Sequence, residues 1–236
     1  MDAMLVWLAA CVTGVALLFY EATLAFAQLR RPGQLAPAAH ASLREQWFAA
    51  VSAQEGSEIL AVQTLRNALM SASMTASTAA LALMGTLTLA VPALREKLSG
   101  SPRWHATFEP WLVMELILLA LLFASLVSSV MAVRYYNHAG FIGGMPVGSD
   151  ARKQWTPAGI VYVRRAGVLY GWGLRQLLLV APVVAFILHP AAGPIAVVIV
   201  LGVLWKMDKI GSGFADPGPE PESRQRAQSN SSRKPL

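Results

Sequence analysis

The sequence predicts an all-α protein, a polytopic transmembrane helical bundle with about five spans and interfacial amphipathic helices. Hydrophobic residues make up 55% of the 236 residues and charged residues only 14%, well below the roughly 25% that soluble domains carry. The apolar residues fall into long runs, and a helix needs about 20 such residues to cross a bilayer. Short polar stretches and turns rich in proline or glycine separate these runs.

The first predicted span covers residues 4–28. It contains Cys11, the single cysteine of the chain, so no internal disulfide and no cysteine-based metal site can form. An alternative interpretation is a cleaved signal peptide, because residues 25–27 resemble an Ala-x-Ala cleavage site. Asp2 stands where such a peptide has positive charge, and the apolar run is longer than its usual hydrophobic region. We therefore expect a retained helix.

Small residues characterise the second predicted span, which covers residues 59–91. A mixed segment from 34 to 58 precedes it, with apolar residues at helical spacing, and indicates an interfacial amphipathic helix. Within the span, small side chains recur every four positions, a pattern that lets another helix approach closely. The helix-packing candidates are Ser71, Thr75 and Ala79 on one stripe, and Ala72, Ala76 and Ala80 on the next.

Three further spans are predicted at residues 111–133, 167–188 and 195–206. Aromatic and charged residues from 134 to 138 indicate a water interface after the third span. A glycine-rich loop and a second mixed segment, from 152 to 165, precede the fourth span. The last run is short for a span, so four spans are the alternative count.

The chain divides into a transmembrane helical domain, residues 1–210, and a tail, residues 211–236. The tail is rich in Gly, Pro, Ser and charge and has few apolar residues, which predicts a disordered basic segment. With five spans and the N-terminus outside, fourteen Lys and Arg residues lie on the cytoplasmic side and three outside. This bias follows the positive-inside rule and predicts a multi-pass protein of the cell membrane, the inner membrane in a bacterium, with a cytoplasmic C-terminus.

The net charge of +6 is explained by these loops and by the tail. No basic face interleaved with aromatic residues is present, so we expect no nucleic-acid partner. The lipid bilayer is the expected surrounding. A membrane protein partner or a second copy of the chain is a further hypothesis.

A weak internal repeat relates the two halves of the chain. Residues 44–47 read Arg-Glu-Gln-Trp and residues 152–155 read Arg-Lys-Gln-Trp. Residues 65–67 read Leu-Arg-Asn and residues 174–176 read Leu-Arg-Gln. The two offsets differ by one residue, which fits a parallel repeat about an axis normal to the membrane. Chance matches between such short strings are the alternative.

Several polar side chains are predicted at membrane depth near the cytoplasmic side. Arg66 and Arg175 each lie at the start of a span, and their side chains could extend to the interface. The alternative is that Glu21 and Arg66 pair, because an unpaired charge in lipid is costly. The ligand-binding or ion-binding candidates are Glu21, Gln63, Arg66, Asn67, Tyr136, Asn137, His138 and Arg175.

No enzymatic constellation is evident. The sequence lacks H-E-x-x-H, paired cysteines, a Walker loop and a G-x-S-x-G elbow. Its four histidines are scattered, so we expect no metal and no cofactor. The sequence favours a non-enzymatic protein.

Three strings carry a resemblance to a known family. They are residues 59–67, which read I-L-A-V-Q-T-L-R-N, the Tyr-Asn-His triplet at 136–138, and Gly-Leu-Arg at 173–175. With a closing span that ends in Met207-Asp208, the chain resembles the uncharacterised membrane family called domain of unknown function 599, over about residues 4–208. The resemblance implies a multi-span membrane protein without an assigned activity. It implies as motif positions Gln63, Arg66, Asn67, Tyr136, Asn137, His138 and Arg175.

Three functional hypotheses remain open. The first is a transport-type or small anionic ligand-binding bundle that uses the cytoplasmic polar cluster, because arginines with nearby amides suit an anion. The second is a structural or assembly subunit that packs through the small-residue stripes against a larger membrane complex. The third, a membrane-embedded lipid-modifying enzyme, has the least support because no acid, base and nucleophile set is evident.

Overall fold

The protein is an all-helical bundle, as the sequence predicts. The computed structural model describes residues 3–30, 36–99 and 109–212, and the tail beyond residue 212 lies outside these described residues. The helices within these ranges are α1 (Ala3–Arg30), α2 (Ala36–Ala53), α3 (Glu58–Ser99), α4 (Pro110–Gly143), α5 (Asp150–Leu188) and α6 (Ala192–Ser212).

Four described helices are long and apolar enough to cross a membrane. They comprise Ala3–Leu24 of α1, Glu58–Val91 of α3, and the whole of α4 and α5. Residues Ala192–Met207 of α6 form a shorter apolar helix. Several membrane-compatible helices are therefore present, while the count of five spans stays a prediction.

Two helices are longer than the sequence predicts. The third span was expected to end at Val133 and to be followed by a glycine-rich loop from Gly140, yet α4 continues to Gly143. The mixed segment from 152 to 165 and the fourth span form one helix, α5, of 39 residues. At about 1.5 Å per residue α5 extends about 58 Å, nearly twice the roughly 30 Å of hydrocarbon.

The turn between α4 and α5 has local causes in the sequence. Gly148 has a φ of +90°, in the left-handed region that side chains disfavour. Ser149 then caps α5, because its hydroxyl accepts a hydrogen bond from the backbone N–H of Arg152 at 3.2 Å. Gly56 has a φ of +79° in the corresponding turn between α2 and α3.

Two apolar cores stabilise the bundle, one towards each end. The first joins α1, α6, the N-terminal half of α4 and the C-terminal half of α5; its buried members are Ala10, Leu17, Met114, Leu118, Leu122, Leu179, Val183, Phe186, Val197 and Leu204. The second joins α2, α3 and the opposite halves of α4 and α5; its buried members are Phe48, Leu65, Ala72, Ala132, Tyr136, Ala139, Ile142, Val163 and Ala166.

Helix α2 packs antiparallel along the first half of α5. Arg44 lies against Gly167, Phe48 against Gly159, and Ser52 against Arg152. Phe48 is completely buried, and a Cβ atom at residue 159 would overlap its ring. The predicted amphipathic helix is therefore present, with its apolar face on α5, while its position at a membrane interface stays a prediction.

The small-residue stripes of α3 serve packing within the chain, because α4 is the helix that packs most extensively on α3. Ala72, Thr75 and Ala79 are buried, whereas Ala76 and Ala80 are half-buried and Ser71 is exposed. The Ser71 and Thr75 hydroxyls donate hydrogen bonds to carbonyls of their own helix. This bonding satisfies them in apolar surroundings.

Candidate functional site

A groove between α3 and α4 brings together three of the predicted site residues, Arg66, Tyr136 and Asn137. Its volume is about 290 Å³. Positions three and four apart on each helix line it, because such positions share one helix face. The remaining lining residues are Val62, Leu65, Leu69, Gly140 and Phe141.

The groove combines one cation with an apolar wall. Arg66 and Asn137 are exposed, so their guanidinium and amide groups are accessible. No acidic side chain is among the residues that line the groove. A guanidinium presents paired N–H donors that match the oxygens of a carboxylate or a phosphate. The arrangement can therefore hold an anionic group beside an apolar one.

Tyr136 connects the groove to the interior of the bundle. It is 4% exposed and belongs to the second core. Arg44 of α2 lies behind it, close enough for an electrostatic interaction with Tyr136. The Arg44 side chain lies over Gly167, where an added Cβ would be 2.5 Å from its Nη1 atom. Tyr136 therefore lies close to α2 as well as lining the groove.

The other predicted residues near Arg66 and Asn137 do not line the groove. Gln63 and Asn67 are exposed on α3. His138 is exposed and lies against Tyr162 of α5, with 5.8 Å between the ring centroids. Of the Tyr-Asn-His triplet, Tyr136 and Asn137 therefore line the groove, whereas His138 lies on the surface between α4 and α5.

Glu21 and Arg175 form a second polar group, inside the bundle. The Gln176 amide donates a hydrogen bond to Glu21 Oε1 at 3.0 Å, and Arg175 interacts electrostatically with the same carboxylate. The sequence offers a Glu21–Arg66 pair as an alternative, whereas in the structure Glu21 contacts these two residues of α5. This contact connects α1 to α5 and leaves Arg66 to the groove.

A close crossing of α4 and α5 lies between the two cores, and the Gly-Trp-Gly string at residues 171–173 predicts such close helix packing. The Ser125 hydroxyl donates a hydrogen bond to the Gly173 carbonyl at 2.8 Å. Ser129 is completely buried, and a Cβ at residue 173 would be 2.5 Å from its Oγ. Ser125 and Ser129, four residues apart on α4, are a further sequence feature that indicates this crossing, because small residues at that spacing form a helix-packing face.

Arg152, one of the charges counted on the predicted cytoplasmic side, is 1% exposed. Its guanidinium donates hydrogen bonds to the Ile142 carbonyl and, at 3.0 Å, to Ser52 Oγ. It lies 5.5 Å from the Phe48 ring centroid and interacts electrostatically with Glu58. Arg152 thus connects α2, α4 and α5 at one point. The sequence distinguishes Arg152 from the other basic residues only by its place in the repeated Arg-x-Gln-Trp string.

Four exposed arginines lie near the level of the groove, and we call Arg66, Arg134, Arg164 and Arg165 the arginine belt. Their height along the bundle axis is inferred from the residues that they contact or adjoin in sequence. Arg165 lies over the Tyr135 ring, 6.0 Å from its centroid, and Tyr135 is adjacent in sequence to Arg134 and to the groove residue Tyr136. Arg164 Nε is 3.3 Å from Glu45 Oε1. Exposed positive charge from α3, α4 and α5 therefore lies near this level.

Comparison of the sequence with the profiles of known families identifies the family of this chain. Residues 8–211 match the sequence profile of DUF599, a protein family of unknown function. The chain belongs to the DUF599 family. This match confirms the resemblance stated above and covers the groove and most of all six described helices.

No curated protein and no solved structure matches this DUF599 chain. Among residues 3–30, 36–99 and 109–212, no group of three or more His, Cys, Asp or Glu side chains is placed to hold a metal ion.

Proposed function

We propose that this DUF599 protein is a multi-pass membrane protein that binds a small anionic ligand in the groove between α3 and α4. The observation that carries the proposal is the convergence of Arg66, Asn137 and Tyr136 from two helices on one groove that lacks acidic residues. A transport role would use the same groove as its cytoplasmic binding site.

The membrane placement that we propose follows from charge and length. Between residues 110 and 133 α4 carries one charged side chain, Glu115, whereas the arginine belt begins at Arg134. We therefore propose that the belt lies at one bilayer surface, the cytoplasmic one by the positive-inside rule. Helix α6 has 21 residues, about 31 Å, which is long enough to cross the hydrocarbon. It would then be a fifth span, with the N-terminus outside and the C-terminus cytoplasmic.

Two observations favour ligand binding over the competing hypotheses. The groove presents Arg66, Asn137 and Tyr136 as its polar groups, which can bind an anion but do not form an acid, base and nucleophile set. Much of the small-residue surface of α3 is occupied by α4 of the same chain. An assembly subunit would need that surface free for a partner.

The test is titration of the purified protein in neutral detergent with glycerol phosphate, followed by phosphorus NMR line broadening. Loss of the Arg66 guanidinium in Arg66→Gln should weaken binding about tenfold or more, since hydrogen bonds to charged groups are worth about 1.5–3 kcal/mol. Arg134→Gln is the matched control, because it removes an exposed arginine that does not line the groove. Equal affinity of wild type and Arg66→Gln contradicts the proposal.

A further inference from the structure

We infer that the ligand of this groove is an anionic phospholipid of the adjacent leaflet, its phosphate on Arg66 and Asn137 and its first methylene groups along the apolar wall. This inference rests on the proposed function and specifies its ligand class. Three features of the described residues carry it: the composition of the groove, its depth in the bundle, and the charge around it.

The composition of the groove suits an amphiphile. At the bilayer end of the groove, beyond Arg66, the wall is apolar at Leu69, which is half-buried. A free anion on Arg66 would leave this part of the groove empty, whereas the hydrocarbon of a lipid can pack against it. One cation beside an apolar strip matches a phosphate attached to a hydrocarbon chain.

The depth of the groove suits a lipid that stays in its leaflet. From Val62 to Leu69 the groove extends seven residues along α3, about 10 Å. This length accommodates a phosphate, a glycerol unit and the first methylene groups, and Leu69 lies on the side of the predicted bilayer. The rest of both acyl chains can therefore remain in the hydrocarbon.

The surrounding charge favours an anionic lipid over a zwitterionic one. Besides Arg66, the arginine belt presents three exposed guanidinium groups near the same level. Glu45 contacts one of them, Arg164. Basic side chains near a membrane surface each contribute about 1 kcal/mol to the attraction of anionic lipids. The belt therefore attracts such lipids to the end of the bundle that contains the groove.

Gly140 provides a way to fill the groove without disturbing the fold. It lines the groove, and an added Cβ would meet nothing within 4 Å. Leucine also has a higher helix propensity than glycine, so Gly140→Leu should fold at least as well as the wild type. Gly85→Leu is the matched control, because Gly85 lies in α3 outside the groove and its added Cβ is equally free of contacts.

The experiment is native mass spectrometry of the full chain from mixed micelles that contain phosphatidylglycerol and phosphatidylcholine. We expect retention of phosphatidylglycerol in preference to phosphatidylcholine, and a loss of about tenfold in Gly140→Leu and in Arg66→Gln. Gly85→Leu and Lys153→Gln, which change positions outside both the groove and the arginine belt, should retain the lipid as the wild type does. Thermal unfolding of each variant in lipid-free detergent verifies that it is folded.

The outcomes separate the two proposals. If glycerol phosphate binds through Arg66 but Gly140→Leu retains phosphatidylglycerol undiminished, the groove takes a soluble anion and the lipid inference is overturned. Equal retention of the two lipids overturns it as well. If neither glycerol phosphate nor phosphatidylglycerol depends on Arg66, the proposed function fails together with the inference.

Discussion

Single residues set how closely the helices approach, and Gly173 is the clearest example. It lies where α5 crosses α4, against the side chain of Ser129 and the backbone of Ser125. In lipid surroundings helices associate through van der Waals packing and interhelical hydrogen bonds, so such close approach contributes directly to stability. Gly171, two residues away, has open space where a Cβ would lie.

Gly173→Ala should therefore destabilise the fold by about 1–3 kcal/mol, the usual cost of overpacking. The added methyl group would lie 2.5 Å from Ser129 Oγ and 3.3 Å from the Ser125 carbonyl oxygen. Gly171→Ala should be neutral or stabilising, because alanine is the better helix former. Thermal unfolding in detergent compares the two variants. A loss of stability of the same size in both would contradict the proposed close contact.

Arg152 is the second residue whose role depends on its surroundings. Arg152→Met should destabilise the protein by about 1–3 kcal/mol, because it leaves the Ile142 carbonyl and Ser52 Oγ without the buried guanidinium donor. Lys153→Met, at an exposed neighbouring position, should change stability little. Denaturant unfolding of the two variants measures the difference, and equal midpoints would disprove a structural role for the buried guanidinium.

Helix α2 shows how an element can depend on one contact at its centre. Its Phe48 ring fits against Gly159 of α5, where a Cβ would lie 2.7 Å from the ring Cζ atom. Gly159→Ala should consequently loosen α2 and expose its amides to exchange, while the α4 amides stay protected. Hydrogen exchange followed by mass spectrometry resolves the two helices. Gly202→Ala is the control, since its added Cβ contacts nothing.

One result of the hydrogen-exchange experiment would contradict the prediction for Gly159→Ala. Unchanged exchange in α2 of Gly159→Ala would mean that Phe48 moves aside at little cost. The contact between α2 and α5 would then depend mainly on Arg44 and Arg152.

The limits of sequence reasoning are clearest for the ends of α4 and α5. Long apolar runs predict that these helices exist, because no other element buries such a run in lipid. The charged and aromatic string from 134 to 138 resembled a water interface, yet Tyr136 is buried there by other parts of the chain. Burial of Tyr136 and Arg152 depends on α2, which approaches from a distant part of the sequence. Periodicity along one segment does not contain that information.

The parts of the site that lie close together in sequence could be predicted, because residues within one helix have a fixed relative position. Tyr136 and Asn137 are adjacent in sequence, and Arg66 was singled out for its position near the start of a span. That α3 packs beside α4 and joins these residues in one groove required the tertiary structure. Arg175 lies with Glu21 and Gln176 and is not among the residues that line the groove.

At the scale of the whole molecule, the proposed orientation predicts a labelling pattern. In a Cys11→Ser background, single cysteines at Glu55 and Asp150, exposed positions before α3 and at the start of α5, should react with a membrane-impermeant maleimide from the cytoplasmic side. A cysteine at Ala191, also exposed, should react from the outside. Intact cells and inside-out vesicles distinguish the two sides. Labelling of all three positions from one side would exclude the orientation.

The continuity of α4 has a mechanical consequence. Its 34 residues extend about 51 Å from the first core, past the close crossing, to the turn that Arg152 anchors. Proline occurs in it only at the first turn, where it introduces no kink. Such a helix moves as one rigid unit. A tilt imposed on its Gly143 end would displace its Pro110 end in the opposite direction, so the two surfaces of the bundle are mechanically coupled.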